Sequence, residues 1–354
     1  MLKTLTLLNF SLFDQPDASI HWSPGLNIII GENGTGKSQL MKLAYSLSWV
    51  SAQQKKSVRQ TKDELQKRIA DKLVATCRPE YLGRLVSRKA SRNRCDISVQ
   101  FSGNPKAGFR FSFATNSRTE VKMESQPESY IDLPPIFIPT REMLSIFPGF
   151  TSVYEDQHLE FEETYYDVAK ALNANARKKH SASVQALLEK IEVLLDGHVK
   201  LESGRFYLLP NKAGQGKIEM PLVAEGLRKL AMLAYLLING SLRNRGTLFW
   251  DEPETNLNPK LIKLVAECIL QLSKNGIQVI IATHSYFLIK EIELIGKASK
   301  EKQKISFISL SNPENGICIE QGSTLQEISS IVALDEELAQ YDREQSLFYT
   351  HKEE

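Results

Sequence analysis

Cysteine is scarce in this 354-residue chain: Cys77, Cys95, Cys268 and Cys318 are scattered, and no two form a C-x-x-C pair. That spacing argues against a zinc ribbon or a disulfide framework and fits a reducing, cytoplasmic setting. No apolar run approaches the roughly 18 residues of a membrane helix, so no membrane association is expected. The N-terminal stretch MLKTLTLLNF lacks a small-residue cleavage site, and its alternation suits a first strand better than a signal peptide. Internal repeats and low-complexity segments are missing. So is a long heptad array, which argues against a long coiled-coil arm. A formal net charge of +2 says little about partners. What is present is an ordinary globular composition, 42% hydrophobic and 24% charged, able to bury a sizeable core in one large domain or two.

The richest local signal is Gly31, Glu32, Asn33, Gly34, Thr35, Gly36, Lys37 and Ser38, which fits G-x-x-x-x-G-K-[ST]. It follows the apolar run 26–30 and precedes a helical pattern opened by Gln39. Strand, glycine-rich loop and helix in that order form a phosphate cradle. The glycines let the backbone N–H groups converge, and the helix N-terminus adds a positive end. Lys37 can reach the β- and γ-phosphates of a nucleoside triphosphate, and the Ser38 hydroxyl can ligate Mg²⁺.

A second signal lies far along the chain. The apolar strand 247–251 ends in Asp251, followed by Glu252. In a phosphate-loop protein the first carboxylate can hold Mg²⁺ through water, and the second can polarise an attacking water. A further apolar strand, 277–282, leads into Thr283, His284 and Ser285. A strand-end histidine there could hydrogen-bond a γ-phosphate.

Around these motifs, the pattern predicts strands at 2–10, 18–22 and 26–30, then a helix at 37–50. Residues 51–92 read as basic and helical, with Pro79 as a breaker. An antiparallel hairpin is expected from 95–101 and 109–115. A short strand at 136–138, helices over 155–196 and a strand at 199–209 follow. Helices at 224–240, 258–274 and 285–294 then alternate with strands at 247–251, 277–282 and 304–310. That alternation predicts an α/β fold with buried parallel strands.

Residues Gly31–Ser38, Leu248–Pro259 and Ile280–Ser285 together resemble the ABC-type ATPases. These include transporter motors, SMC and RecF-like DNA-repair heads, and the standalone ATPases of OLD- and Septu-type phage-defence systems, which look most similar. The resemblance implies a mixed sheet with flanking helices. The ATPase domain would comprise 1–50 and 134–310, with a helical lobe at 150–220 inside it. Residues 51–133 would be a basic helical insertion with a β-hairpin, and 311–354 a helical tail. By the same resemblance Gly31–Ser38 is Walker A, Phe249–Glu252 is the end of Walker B, Glu252 is the catalytic base, Asn256–Asn258 is the D-loop and His284 is the switch. ATP and Mg²⁺ are the implied cofactors. Glu142, after the strand 136–138, would stand at the Q-loop and touch Mg²⁺ or the attacking water; a locally stabilised helix-start acid is the other reading.

The signature segment is Val223, Ala224, Glu225, Gly226, Leu227, Arg228 and Lys229, where the family pattern is Leu-Ser-Gly-Gly-Gln. Only Gly226 matches. Ala224 lacks the serine hydroxyl, and Arg228 or Lys229 could supply the missing charge. The resemblance implies a homodimer or higher oligomer sandwiching ATP. Lys37, Ser38, Asp251, Glu252 and His284 of one copy would then meet Gly226 and Asn258 of the other.

Between Lys55 and Arg94 there are 13 Lys/Arg against four acids, a local net of +9. Such a block could contact DNA or RNA phosphates, dock an acidic protein, or form a solvated face. Arg84, Arg88, Lys89, Arg92 and Arg94 are its candidate contact residues. No constellation for a second chemistry stands out, so a separate effector protein is expected. The segment 328–348 reads as a helix with Ile331, Leu334, Leu338 and Tyr341 on one stripe, either packed on the ATPase or free to dock a partner.

Overall fold

A computed structural model describes residues 1–15, 18–58, 60–87, 94–157, 159–242, 246–299, 303–312, 316–329 and 331–350. Alternation at the start produces β1 (Leu2–Leu8) and β2 (Ala18–His21), and the apolar run becomes β3 (Leu26–Gly31). Two helices follow, α1 (Lys37–Lys56) and α2 (Lys62–Cys77). Next come β4 (Arg94–Phe101), β5 (Phe109–Ala114), β6 (Lys122–Ser125) and β7 (Ile136–Ile138). The middle of the chain holds α3 (Phe150–Gln157), α4 (Glu163–Leu172) and α5 (Ala182–Leu195). It continues through β8 (Gly197–Glu202), β9 (Arg205–Pro210) and β10 (Ile218–Glu219). From there helix and strand alternate: α6 (Glu225–Ile238), β11 (Thr247–Asp251), α7 (Pro259–Lys274) and β12 (Gln278–Thr283). The chain closes with α8 (Tyr286–Ala298), β13 (Ile305–Ser311), β14 (Cys318–Gly322) and α9 (Val332–Thr350).

A six-stranded sheet in the order β14-β13-β3-β12-β11-β7 carries the site. Its strands are parallel except β14, which pairs antiparallel with β13 at the edge. Helices cover both faces, so β3, β11 and β12 read as nearly continuous apolar runs rather than alternating ones. The two-residue period still sorts them. Ile28, Ile30, Leu248, Trp250, Val279 and Ile281 join the core under α4, α6 and α7. Ile29, Phe249, Ile280 and Ala282 face α1 and a second, antiparallel sheet.

That second sheet has the order β2-β1-β4-β5-β6. The expected hairpin is β4 and β5, and β4 pairs antiparallel with β1, so the hairpin continues the N-terminal strands. Gln278 clamps the two sheets. Its Nε2 donates to Leu2 O (2.9 Å) and Ser23 O (2.8 Å), and its Oε1 accepts from Leu2 N (2.8 Å). The two bonds to Leu2 are buried and the one to Ser23 partly so, where a lost partner is costly.

Three sequence expectations change. The tail expected to be helical over 311–354 first adds β14 to the edge of the six-stranded sheet before α9 begins. The single strand expected over 199–209 is a hairpin, turned by Ser203 (φ 50°) and Gly204 (φ 75°). The apolar residues on both sides of that turn masked it. The stripe of the C-terminal helix also splits. Ile331 is buried and Leu334 packs on the core, but Leu338 and Tyr341 are exposed.

The middle helices are tied to α1 and α2 by charge. Lys72 is 2% exposed and pairs with Glu163 and Asp167 of α4, while its ammonium lies 3.8 Å from the Trp49 ring centroid. Tyr45 donates to Asp167 (2.6 Å), and Lys42 pairs with Glu162. Removing the ammonium would strand two partly buried carboxylates. Lys72→Ala is expected to cost about 3 kcal/mol or more, read as a lower urea midpoint.

Candidate active site

β3 stops at Gly31 and α1 starts at Lys37, with Gly34 (φ 86°) and Gly36 (φ 90°) turning the loop in the left-handed region. Gly36 is the N-cap of α1, no side chain caps that helix, and its first turn holds no acid. Its orphan N–H groups are therefore available to an anion. Thr35 Oγ1 closes the loop by donating to Glu32 O (2.9 Å). Lys37 is curled onto the loop, its Nζ donating to Gly31 O (2.7 Å) and Glu32 O (2.8 Å). Burial pulls its ammonium below the usual lysine range, and the charges of Glu252, Asp251 and Glu254 work against that shift.

The loop forms one wall of a basin of about 1150 Å³, shared by Asn33, Gly34, Gly36, Lys37, Ser38, Gln39 and Glu252. Gln39 Oε1 is buried there without a hydrogen-bond partner. The lining also includes Leu12, Arg78 and Arg84. Arg78 was legible only as one charge of the basic block. It is the C-cap of α2 in the left-handed region (φ 55°), just before Pro79, and that helix stop turns it toward the basin.

β11 delivers the acidic side. Asp251 is buried, and its Oδ1 has no hydrogen-bond partner. Burial pushes the carboxyl up from its usual range, and the Ser38 hydroxyl beside it offsets this only in part. Glu252 adopts a left-handed backbone (φ 46°). Its N–H donates to Ala282 O on β12 (2.9 Å), and its carbonyl accepts from Lys229 Nζ (3.2 Å). Its carboxylate has Oε1 3.3 Å from His284 Nδ1, and Oε2 accepts from Thr255 Oγ1 (3.2 Å). Beneath it Glu254 is buried and accepts from Thr283 Oγ1 (2.5 Å). Burial raises the Glu254 carboxyl as well.

The structure thus brings Lys37, Ser38, Asp251, Glu252 and His284 to one end of the parallel strands. The other expected residues are placed differently. Glu142 is buried away from that cluster. Its oxygens accept from Ser145 N (3.1 Å), Ser145 Oγ and Arg228 Nε (2.7 Å). Glu142 stands in a loop ahead of α3 rather than at a helix start, so the helix-start reading is not met, and Oε2, which accepts only from Ser145 N, keeps a lone pair open. Arg228 is spent on Glu142 and on Val223 O (2.6 Å), and Lys229 is 1% exposed. Both are thus engaged within their own chain, Lys229 by burial and Arg228 through Nε and Nη1. Gly226 is buried against its own chain: a Cβ there would stand 2.6 Å from Leu257 Cδ2 and 2.8 Å from Asn256 O. Asn258 is exposed, and its Oδ1 caps α7 by accepting from Leu261 N (3.0 Å).

Within the basic block, Lys55, Arg68, Lys72, Arg84 and Arg94 all pair with acids. Four of its members, Arg59, Arg88, Lys89 and Arg92, lie outside the described residues. No described helix is long and apolar enough to cross a membrane.

Burial raises Asp251 and Glu254, so folding favours their protonated forms. That contribution is complete below the usual carboxylate range and is lost as pH rises through the raised values. Asp251→Asn, neutral throughout, is expected to melt above the nucleotide-free wild type at about pH 8, with the gap closing toward about pH 4. Thermal scans across pH read this directly. Gly226→Ala is expected to cost about 1–3 kcal/mol, because Asn256 and Leu257 must give way. Chemical denaturation measures it.

Residues 26–290 match the family described as "AAA domain, putative AbiEii toxin, Type IV TA system". The arginine transport ATP-binding protein ArtM of Bacillus subtilis (strain 168) is 27% identical over 154 residues, which is 44% of this chain and 56% of ArtM. This chain therefore spans little more than half of that relative. Among solved structures, the Smc head bound to the C-winged helix domain of ScpA aligns with a TM-score of 0.58 at 14% identity, covering 93% of this chain and 99% of that one. The Smc head with an extended coiled coil, bound to the C-terminal domain of ScpA derived from Pyrococcus furiosus, gives 0.55 at 12%, covering 97% and 99%. These two likenesses speak for the fold. The family match runs unbroken from the phosphate loop through Asp251 and Glu252 to His284, and the chain belongs to this family of AAA ATPase domains.

Proposed function

We propose that the chain is an ATP-hydrolysing switch that closes on a second copy around ATP and controls a separate effector, a nuclease or toxin, in a prokaryotic anti-phage module. One observation carries the hydrolytic part: the Glu252 carboxylate lines the phosphate-loop basin while touching His284 (3.3 Å). In this reading Lys37 leaves the Gly31 and Glu32 carbonyls for the β- and γ-phosphates. Ser38 and Asp251 would hold Mg²⁺, and the unpartnered Asp251 Oδ1 fits that role. The cation would offset charge on the transferring phosphoryl group. Glu252 orients and deprotonates the attacking water, and His284 donates to the γ-phosphate. The family's description, with its toxin and toxin–antitoxin terms, favours a defence setting.

A second reading, an ATP-binding switch with little turnover, has its own support. The N-cap of α6 is Ala224, which makes no side-chain cap, and Gly226 is buried in its own chain.

Phosphate release and gel filtration test both readings. Glu252→Gln is expected to lower kcat by about 100-fold or more while retaining ATP, and to elute as a dimer or larger species with ATP. A monomer with and without ATP in that variant would rule out the sandwich. Wild-type turnover no faster than that of Glu252→Gln would leave only the binding switch. A native pull-down with operon neighbours, with and without ATP, tests the effector: an ATP-dependent nuclease or toxin partner is expected, and no such partner in either state sinks the regulatory role.

A further inference from the structure

Lys229 lies in the second turn of α6 with 1% of its side chain exposed, although lysine is almost never fully buried without a partner. Its Nζ donates to the backbone carbonyl of Glu252 at 3.2 Å. That carbonyl belongs to the Glu252–Pro253 peptide. Proline has no N–H, so no donor on the peptide itself can hold this plane from its other side. A residue before proline is also pushed toward extended backbone, whereas Glu252 is held at φ 46°. The Thr255 N–H reaches the same carbonyl from within the loop (3.2 Å), and two contacts come from outside it: the Glu252 N–H to Ala282 O on β12, and the Lys229 ammonium to Glu252 O from α6. The first turn of α6 rests on the same loop, since Gly226 lies against Asn256 and Leu257. A shift of α6 against the sheet therefore moves Lys229 and the backbone it grips together.

We propose that Lys229 is a positioning residue for Glu252, coupling the place of α6 to the orientation of the carboxylate that activates water. The inference deepens the ATPase reading and rests on it. Burial pulls the Lys229 ammonium below the usual lysine range, and the charges of Glu254, Glu225, Glu252 and Asp251 work against that shift. A lysine there holds the loop by charge as well as by hydrogen bond.

The test compares wild type, Lys229→Met, Glu252→Gln and the double variant. Lys229→Met keeps the length of the chain but removes donor and charge. Affinity for a fluorescent ATP analogue should stay within about threefold, while kcat falls about tenfold or more. In the Glu252→Gln background the same change should lower the residual rate by less than about twofold, because its target is already gone. Equal losses in both backgrounds, or parallel losses of affinity and kcat, would reduce Lys229 to a packing residue and overturn the proposal. If Lys229→Met does not fold, Lys229→Gln carries the same readings under the same criteria. A wild-type chain without turnover sinks the ATPase reading and this inference with it. Turnover in the wild type with kcat unchanged in the Lys229 variant sinks this inference alone.

Discussion

The candidate site depends on one unfavourable backbone conformation, the left-handed turn at Glu252. A strand that simply continued past Asp251 would carry the next carboxylate along the sheet edge. The bend at φ 46° instead turns it toward His284 and Thr255. For an L-residue the bend costs roughly 1–2 kcal/mol. Hydrogen bonds from Glu252 N–H to Ala282 O and from Lys229 to Glu252 O, worth about 1 kcal/mol each, offset it. Downstream geometry follows from the same bend. It sends the loop under Gly226 and delivers Asn258 to cap α7. The phosphate loop, α6 and α7 are thus referred to one point at the end of β11.

Electrostatics make that point a poised one. Asp251 and Glu254 are buried carboxylates held above their usual range, flanked by buried ammonium groups from opposite sides, Lys37 and Lys229. Buried like charges repel strongly where water cannot screen them. Lys37 donates to two loop carbonyls, which an incoming phosphate can replace. Lys229 is enclosed and has no comparable freedom. One cation is thus free to follow a ligand, while the other stays with the protein frame.

What was legible in the sequence is what short segments decide. Glycines at 34 and 36 are demanded by positive φ, and an apolar strand ending in Asp251 and Glu252 needs no knowledge of distant residues. The α/β alternation after residue 222 falls within a few residues of the observed elements for the same reason. Side-chain assignments that depend on packing were not legible. Arg228 and Lys229 are adjacent basic residues on one helix, and nothing local separates the one that reaches Glu142 from the one that reaches Glu252 O. Beyond its hairpin mate β5, the other partner of β4 could not be read either. Pairing with β1 joins residues nearly a hundred positions apart, and strand alternation alone names no partner.

The helix ends argue for a slow cycle. Where α2, α5, α7 and α8 begin, Thr61, Ser181, Asn258 and Ser285 cap them with side-chain oxygens. By contrast α1, α4 and α6 begin without such a cap, and of these α1 and α6 are the two that the proposed sandwich would bring to ATP. α1 and α6 differ in charge: the first turn of α1 has no acid, whereas that of α6 carries Glu225. An acid there already satisfies the positive end of the helix and repels an approaching phosphate. In the proposed sandwich the phosphate loop therefore supplies most of the grip on ATP, and α6 of the second copy adds little. A contact weak in the ground state can still matter if it acts by moving α6, and Lys229 is the residue that would carry such a movement to Glu252.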